Sequence, residues 1–406
     1  NKVKHILTIK NLLIFIFFVI SFLLFLFDLK SEKHNLTVYL LFSLFAIFTL
    51  GFIILLNQKF GKINSDAYHK FYAFAVLIMG ITFMIISPPF SGSDERTHFF
   101  RAYEITEGHY VSHADENGIL AAMPRSLNKA YSGYDNQDIY DEDSTISYEK
   151  IPSRLSIPLN KEDIIYYCSC NKTNYYGGSM YSPFQYLPHL IGIEIGKFLN
   201  LGPTWILYLA RLFHFLAFAV LTTIGLKLLP KFKLPAMLIL LSPVVLSGAT
   251  TISADGITNA TIFVFIAYIL NLRYSQKKIK AKQKILLALL AFMISMCKVV
   301  YFPIIALVFL LQKQQFKNAK DNLLFKLSLI IIGTMLSLGW LSLASAFMNS
   351  QSSTSEGQIH FVLTHPFEFI FIIIRTYLFN LNTNLSNLFF GDQMYHWSLD
   401  TYSMFS

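Results

Sequence analysis

Phe71-Tyr72-Ala73-Phe74-Ala75-Val76-Leu77-Ile78-Met79-Gly80-Ile81-Thr82-Phe83-Met84-Ile85-Ile86-Ser87 runs straight into Pro88-Pro89-Phe90-Ser91-Gly92-Ser93-Asp94-Glu95-Arg96-Thr97-His98-Phe99-Phe100-Arg101-Ala102-Tyr103. The first part carries no charge and approaches the roughly 20 residues that cross a hydrocarbon core. Two prolines then end it, and charge returns within a few residues. Such a change marks a chain leaving lipid for water. Comparable apolar runs occupy residues 11–27, 37–56, 204–226 and 323–348. Composition agrees, since 54% of the 406 residues are hydrophobic and only 14% are charged, against about 25% in soluble domains. The run at 11–27 follows Lys2, Lys4 and Lys10 but lacks a small-residue cleavage site after it, so it reads as a first span rather than a cleaved signal.

Charge is divided unevenly. Residues 89–183 hold 14 of the 24 acidic side chains and 8 of the 33 bases, leaving ten acids against 25 bases elsewhere. The bases gather in short connectors: Lys59, Lys62 and Lys70; Lys227, Lys231 and Lys233; residues 273–284; and Lys313, Lys317, Lys320 and Lys326. By the positive-inside rule these connectors, and the N-terminus, are cytoplasmic. Three spans then place the acidic loop outside. The count holds downstream only if 183–201 does not cross. That segment contains Pro188, His189, Glu194 and Lys197, with Phe184, Leu187, Ile191, Ile195 and Phe198 near helical spacing, which predicts a helix lying in the interface, the alternative being an ordinary short span. The run 285–311 keeps both of its basic flanks on one side only as a broken hairpin bent at Lys298-Val299-Val300-Tyr301-Phe302-Pro303. The expected fold is therefore an all-α polytopic membrane protein: three N-terminal transmembrane helices in 1–88, an extracytoplasmic loop with an interfacial helix in 89–203, a transmembrane bundle in 204–348, and an extracytoplasmic or interfacial segment in 349–406. Polar residues 128–143 read as irregular.

Several residues are candidates for chemistry. Ser93 suits an N-cap, and a helix from Asp94 onward sets Asp94 or Glu95 beside the bilayer as a general base, with His98 and Arg101 on following turns. The plain alternative is that these acids cap the helix and pair with Arg96 or Arg101. Tyr175, Tyr176, Tyr181, Gln185 and Tyr186 form an aromatic stretch suited to sugar stacking or to interface anchoring. Arg211, three residues before His214 within a span, is costly in lipid and so a functional candidate, with structural pairing as the alternative. Asp255 and Asn259 follow at the outer end of another span, Asp255 being equally suited to capping. Lys298 at outer-leaflet depth suits a lipid phosphate. Cys168, Cys170 and Cys297 complete no zinc pattern.

In order and spacing these segments resemble the DUF2142 family of predicted membrane proteins, grouped with the GT-C glycosyltransferases. The resemblance covers residues 88–397. It rests on the Asp94–Tyr103 stretch, Tyr181-Ser182-Pro183-Phe184-Gln185-Tyr186-Leu187-Pro188, Arg211, Ser242-Pro243, Ser253-Ala254-Asp255-Gly256-Ile257-Thr258-Asn259, Lys298-Val299-Val300-Tyr301 and Phe390-Gly391-Asp392. The family usually has Pro-Asp-Glu where this chain has Ser93-Asp94-Glu95, and further C-terminal spans are expected. The resemblance implies a GT-C-like bundle, an acidic residue in the first large external loop, and a polyprenyl-phosphate-linked sugar as donor for an extracytoplasmic glycan acceptor of the cell envelope. Asp94 or Glu95 would be the base, and Lys298 and Arg211, assisted by His98 and Arg101, would hold the lipid phosphate. The tyrosine stretch, Gln185, Asp255 and Asn259 would serve the acceptor. No second carboxylate is placed as a nucleophile, so inversion is expected. The residues demand no cofactor, a divalent metal stays open, and no nucleic-acid partner is expected. The competing classes are a transporter or flippase of lipid-linked sugars and a non-catalytic assembly subunit.

Overall fold

A computed structural model describes residues 67–90, 92, 94–115, 118–132, 154–168, 177–344 and 355–379, which belong, apart from Ala67, to one compact unit beginning at Tyr68. The expected spans at 11–27 and 37–56, Ser93, Tyr175, Tyr176, Cys170 and the Phe390-Gly391-Asp392 segment lie outside the described residues. The elements are α1 (Tyr68–Ile86), α2 (Glu95–Thr106), β1 (His113–Asp115), β2 (Gly118–Pro124), α3 (Arg125–Ser132), β3 (Ile164–Cys168), α4 (Leu187–Phe198), α5 (Pro203–Leu228), α6 (Lys233–Leu240), α7 (Pro243–Thr250), α8 (Asp255–Ser275), α9 (Ala281–Cys297), α10 (Ala319–Ala344), α11 (Ser355–Thr364) and α12 (Pro366–Phe379). Short 3-10 turns at Gly177–Met180 and Pro183–Tyr186 precede α4, and a longer 3-10 helix covers Val299–Leu310. Among the described residues, α1, α5, α8 and α10 are long and apolar enough to cross a membrane. The pair α6 and α7, bent by 57°, makes a fifth if taken as one broken span. The protein is a mostly helical, multi-span membrane protein.

The all-α expectation needs one correction. Inside the polar loop β1, β2 and β3 pair antiparallel in that order, with His113 opposite Leu120 and Leu120 opposite Cys168. The strand Gly118-Ile119-Leu120-Ala121-Ala122-Met123-Pro124 is too poor in β-branched residues to announce itself; its two partners supply the ladder that propensity does not.

The segment at 183–201 is not among the described helices long and apolar enough to cross a membrane. Its helix α4 has only 12 residues, and Leu187, Ile191, Ile195 and Phe198 face outward while His189, Gly192, Ile193 and Gly196 are buried against α5. The close approach requires glycine. A Cβ at Gly192 would lie 2.4 Å from the Leu209 carbonyl oxygen, and one at Gly196 would lie 2.7 Å from the Ile206 side chain. Small residues four apart let helices in lipid gain dispersion contacts, which matter more there because burial from lipid carries no hydrophobic drive.

The broken hairpin is also present. Helix α9 rises about 25 Å from its 17 residues. The chain turns at Lys298, whose backbone is extended, and returns through the 3-10 helix to its starting level. There Ile279 N–H donates to the Gln315 carbonyl (2.7 Å), and Gln315 Nε2 donates to the Leu272 carbonyl (2.6 Å). At this end the Asn271 amide also reaches the Leu228 carbonyl (2.8 Å), joining the ends of α8 and α5. The connectors after α5, after α8 and after the 3-10 helix thus share one end of the bundle, and Lys298 is carried to the other, beside the first turn of α8.

Replacing Gly192 with alanine should destabilise the fold by about 1–3 kcal/mol through overpacking against backbone. Gly248→Ala, where a Cβ meets nothing within 4 Å, should be neutral or slightly stabilising. Thermal unfolding of the two variants in one detergent checks the contrast.

Candidate functional site

The entry to α2 separates its two adjacent carboxylates. Asp94 adopts a left-handed backbone (φ 54°), which Asp tolerates better than most residues, and makes no side-chain cap hydrogen bond. Its side chain is exposed. Glu95, one residue on, is buried and meets Arg211 in a two-pronged pair: Arg211 Nε donates to Oε1 at 2.7 Å and Nη2 to Oε2 at 2.6 Å. The backbone N–H groups of Ile252 (2.8 Å) and Gly92 (3.3 Å) also donate to this carboxylate. Arg211 in turn donates to the carbonyls of Ser87 and Pro88, both at 2.8 Å. One ion pair therefore joins the end of α1, the start of α2, the middle of α5 and the turn before α8.

This geometry revises three roles. Glu95 is enclosed by donors and Arg211 is fully buried against Glu95, so neither is placed to act as a free base or to meet a lipid phosphate. Arg101 is likewise buried, donating to Glu104 (2.9 Å) and to the carbonyls of His109 (3.0 Å) and Tyr110 (2.6 Å), which folds the chain back after α2.

A second group gathers around His98. Its Nδ1 shares a 2.6 Å hydrogen bond with the Tyr186 hydroxyl, and its ring lies 5.2 Å from that of Tyr181. Lys298 sits 5.2 Å over the Tyr181 ring and pairs with Asp255 at 2.5 Å. That pair is partly open, with 21% of Lys298 and 49% of Asp255 exposed. Asp255 thus spends its carboxylate on Lys298 in the first turn of α8, while Ala254 occupies the N-cap. Asn259, one turn further along α8, is exposed. Gln185 is buried and donates to the Cys297 carbonyl (2.9 Å), and the Ser182 hydroxyl donates to the Met296 carbonyl, so the Pro183–Tyr186 turn is fastened to the residues preceding Lys298. Burial lowers the His98 pKa to about 4; Asp94, Asp255 and Glu95 pull it back up, Lys298 opposes them, and burial wins. His98 is therefore neutral at pH 7, and burial keeps the Tyr186 hydroxyl protonated.

Two histidines extend this row inward. His189 stacks on His214 at 4.2 Å, and Tyr186 lies 5.7 Å from His189. His189 interrupts an apolar stretch, the one sequence signal that singles it out, but its pairing with His214 joins α4 to α5 and is invisible in one dimension. Among the described residues no group of three or more His, Cys, Asp or Glu is arranged to hold a metal ion.

Two outcomes follow. Glu95→Gln strands a buried guanidinium and should cost about 3–5 kcal/mol. Asp94→Asn, at an exposed left-handed position, should change stability by no more than about 0.5 kcal/mol; thermal unfolding and the yield of monodisperse protein read both. For His98 the folded pKa of about 4 lies below the ordinary 6.5. The unfolded chain therefore takes up the proton first as pH falls, and the stability this group contributes is full above about 6.5 and lost towards 4. Melting temperature should fall over that window, and more shallowly in His98→Gln.

The model of one protein family matches residues 77–392, under the description "Predicted membrane protein (DUF2142)". No curated protein and no solved structure matches the chain. Because the family match covers more than half of the sequence, including the Asp94 segment, Arg211, Asp255 and Lys298, the chain belongs to the DUF2142 family of membrane proteins.

Proposed function

We propose that this protein is a membrane glycosyltransferase of the GT-C type. It moves a sugar from a polyprenyl-phosphate-linked donor to an extracytoplasmic cell-envelope glycan, at the cluster formed by Asp94, His98, Tyr181, Asp255 and Lys298. The observation that carries the reading is the contrast between adjacent acids. Glu95 is buried in structure, whereas Asp94 is exposed, caps nothing with its side chain, and lies close enough to His98 to act electrostatically on the group that Lys298 also reaches. An uncommitted carboxylate and a partly open cation that both act on His98 suit transfer from a phosphate ester. By charge bias the Lys298 end faces outward and the basic connectors face the cytoplasm.

In the proposed step Asp94 accepts the proton of an acceptor hydroxyl as that oxygen bonds to the anomeric carbon. The bond from that carbon to the phosphate oxygen breaks with its electron pair, and polyprenyl phosphate leaves with the added negative charge, which Lys298 compensates. Attack from the face opposite the phosphate inverts the anomeric centre. Neutral His98 and Tyr186 hold the wall of the site, Tyr181 offers a ring to the sugar, and Gln185 fixes the turn that presents Tyr181. Asn259 lies along α8 on the acceptor side. Tyr175 and Tyr176 enter the acceptor region on sequence grounds alone.

Asp94→Asn should reduce sugar transfer by about 10²–10⁴ in membranes supplied with donor lipid and acceptor, with expression and lipid binding intact. Near-normal transfer by this variant would sink the assignment of the base. Movement of lipid-linked sugar across the bilayer without transfer would favour a transporter, and full cellular function of Asp94→Asn an assembly subunit.

A further inference from the structure

At the opposite end of the bundle from Lys298, the last turn of α8, the end of the 3-10 helix and the first turns of α10 line an open cavity of about 530 Å³. Three bases line it, Arg273, Lys313 and Lys326, and no Asp or Glu does. Lys326 is the most committed of them: 3% exposed, it donates to the Leu311 carbonyl (2.7 Å) and lies over the rings of Phe309 (5.6 Å) and Phe316 (5.4 Å). Arg273 rests against Gln312, whose amide oxygen, turned towards it, accepts from Nη2 at 3.0 Å. The nearby carboxylate, Asp321, pairs instead with Lys284 (2.5 Å) and accepts from the Lys317 backbone N–H (3.2 Å). Three cations thus converge on one cavity whose lining offers no counter-charge, an arrangement that costs self-repulsion unless an anion joins it.

Two further observations define the anion. Asn322, in the same lining, has a buried Oδ1 that accepts no hydrogen bond. The rim is apolar and open: Phe309, near the end of the apolar 3-10 helix, and Leu323, near the start of the span-length helix α10, are 50% and 52% exposed. A soluble anion gains nothing from that rim, whereas acyl chains do. Basic recesses between transmembrane helices are suited to anionic head groups.

We propose that this cavity binds an anionic glycerophospholipid of the leaflet at this end. Its phosphate is held by Arg273, Lys313 and Lys326, a head-group hydroxyl donates to Asn322, and its chains lie along Phe309 and Leu323. The site is separate from the Lys298 cluster and does not depend on the glycosyltransferase reading.

The full chain, purified in mild detergent with equal amounts of dioleoyl phosphatidylglycerol and dioleoyl phosphatidylcholine, is washed and its retained lipid identified by native mass spectrometry. Phosphatidylglycerol should stay bound at about one molecule per chain after phosphatidylcholine has gone, with retention weakened roughly tenfold or more in the Arg273→Gln, Lys313→Gln double variant. Both substituted residues reach solvent, so the double variant should keep the wild-type melting temperature in lipid-free detergent, and Asn322→Leu supplies a second variant that removes no charge and should weaken phosphatidylglycerol retention. Equal retention of the two lipids, or unchanged retention of phosphatidylglycerol in the double variant, overturns the proposal. Release of phosphatidylglycerol by millimolar inorganic phosphate assigns the cavity to a soluble phosphate and overturns it as well.

Discussion

The Glu95–Arg211 pair is the constraint on which the Lys298 end of this bundle is built. Two full charges out of water are tolerable only when each is met by donors or acceptors in good geometry. Here the carboxylate receives both guanidinium nitrogens and two backbone N–H groups, while the guanidinium also closes on two carbonyls. Those carbonyls, at Ser87 and Pro88, belong to the point where the chain has left α1 and cannot make helical bonds of its own because the prolines break the pattern. The pair thus repairs a helix end and positions the next helix.

Everything around His98 inherits that placement. With Glu95 drawn inward, helix periodicity and the left-handed turn at Asp94 put the preceding carboxylate outward, and His98 falls one turn further along the same helix. The opposite side of the cluster comes from the hairpin. A 17-residue helix followed by a 3-10 return delivers Lys298 to the level of Asp255, so the cation meets its counter-ion at the start of α8 without a charge crossing lipid. Because 3-10 geometry rises faster per residue than an α-helix, 12 returning residues match the 17 that went up.

The two ends of the bundle differ in kind. One end combines acids, a histidine and a lysine in partly open pairs; the other accumulates bases, of which Lys326 is buried on aromatic rings. The same kind of charge asymmetry orients such a chain in a membrane.

Much of the architecture was legible in one dimension, because lipid imposes rules that composition obeys. Uncharged runs had to become helices, basic connectors had to share a side, and from that requirement alone a short helix at 183–201 and the turn at Lys298 were expected. The family resemblance was equally readable, since it rests on short motifs in order. What the sequence could not determine was which charges meet. Asp94 and Glu95 are neighbours with the same functional group, and only the arrival of Arg211 from 116 residues away makes one structural and leaves the other exposed. The small sheet, the stacking of His189 on His214 and the union of Arg273, Lys313 and Lys326 around one cavity are likewise products of packing between distant segments. Periodicity and charge bias are local or one-sided signals; the partner of a buried charge is set by a geometry that exists only once the helices have packed.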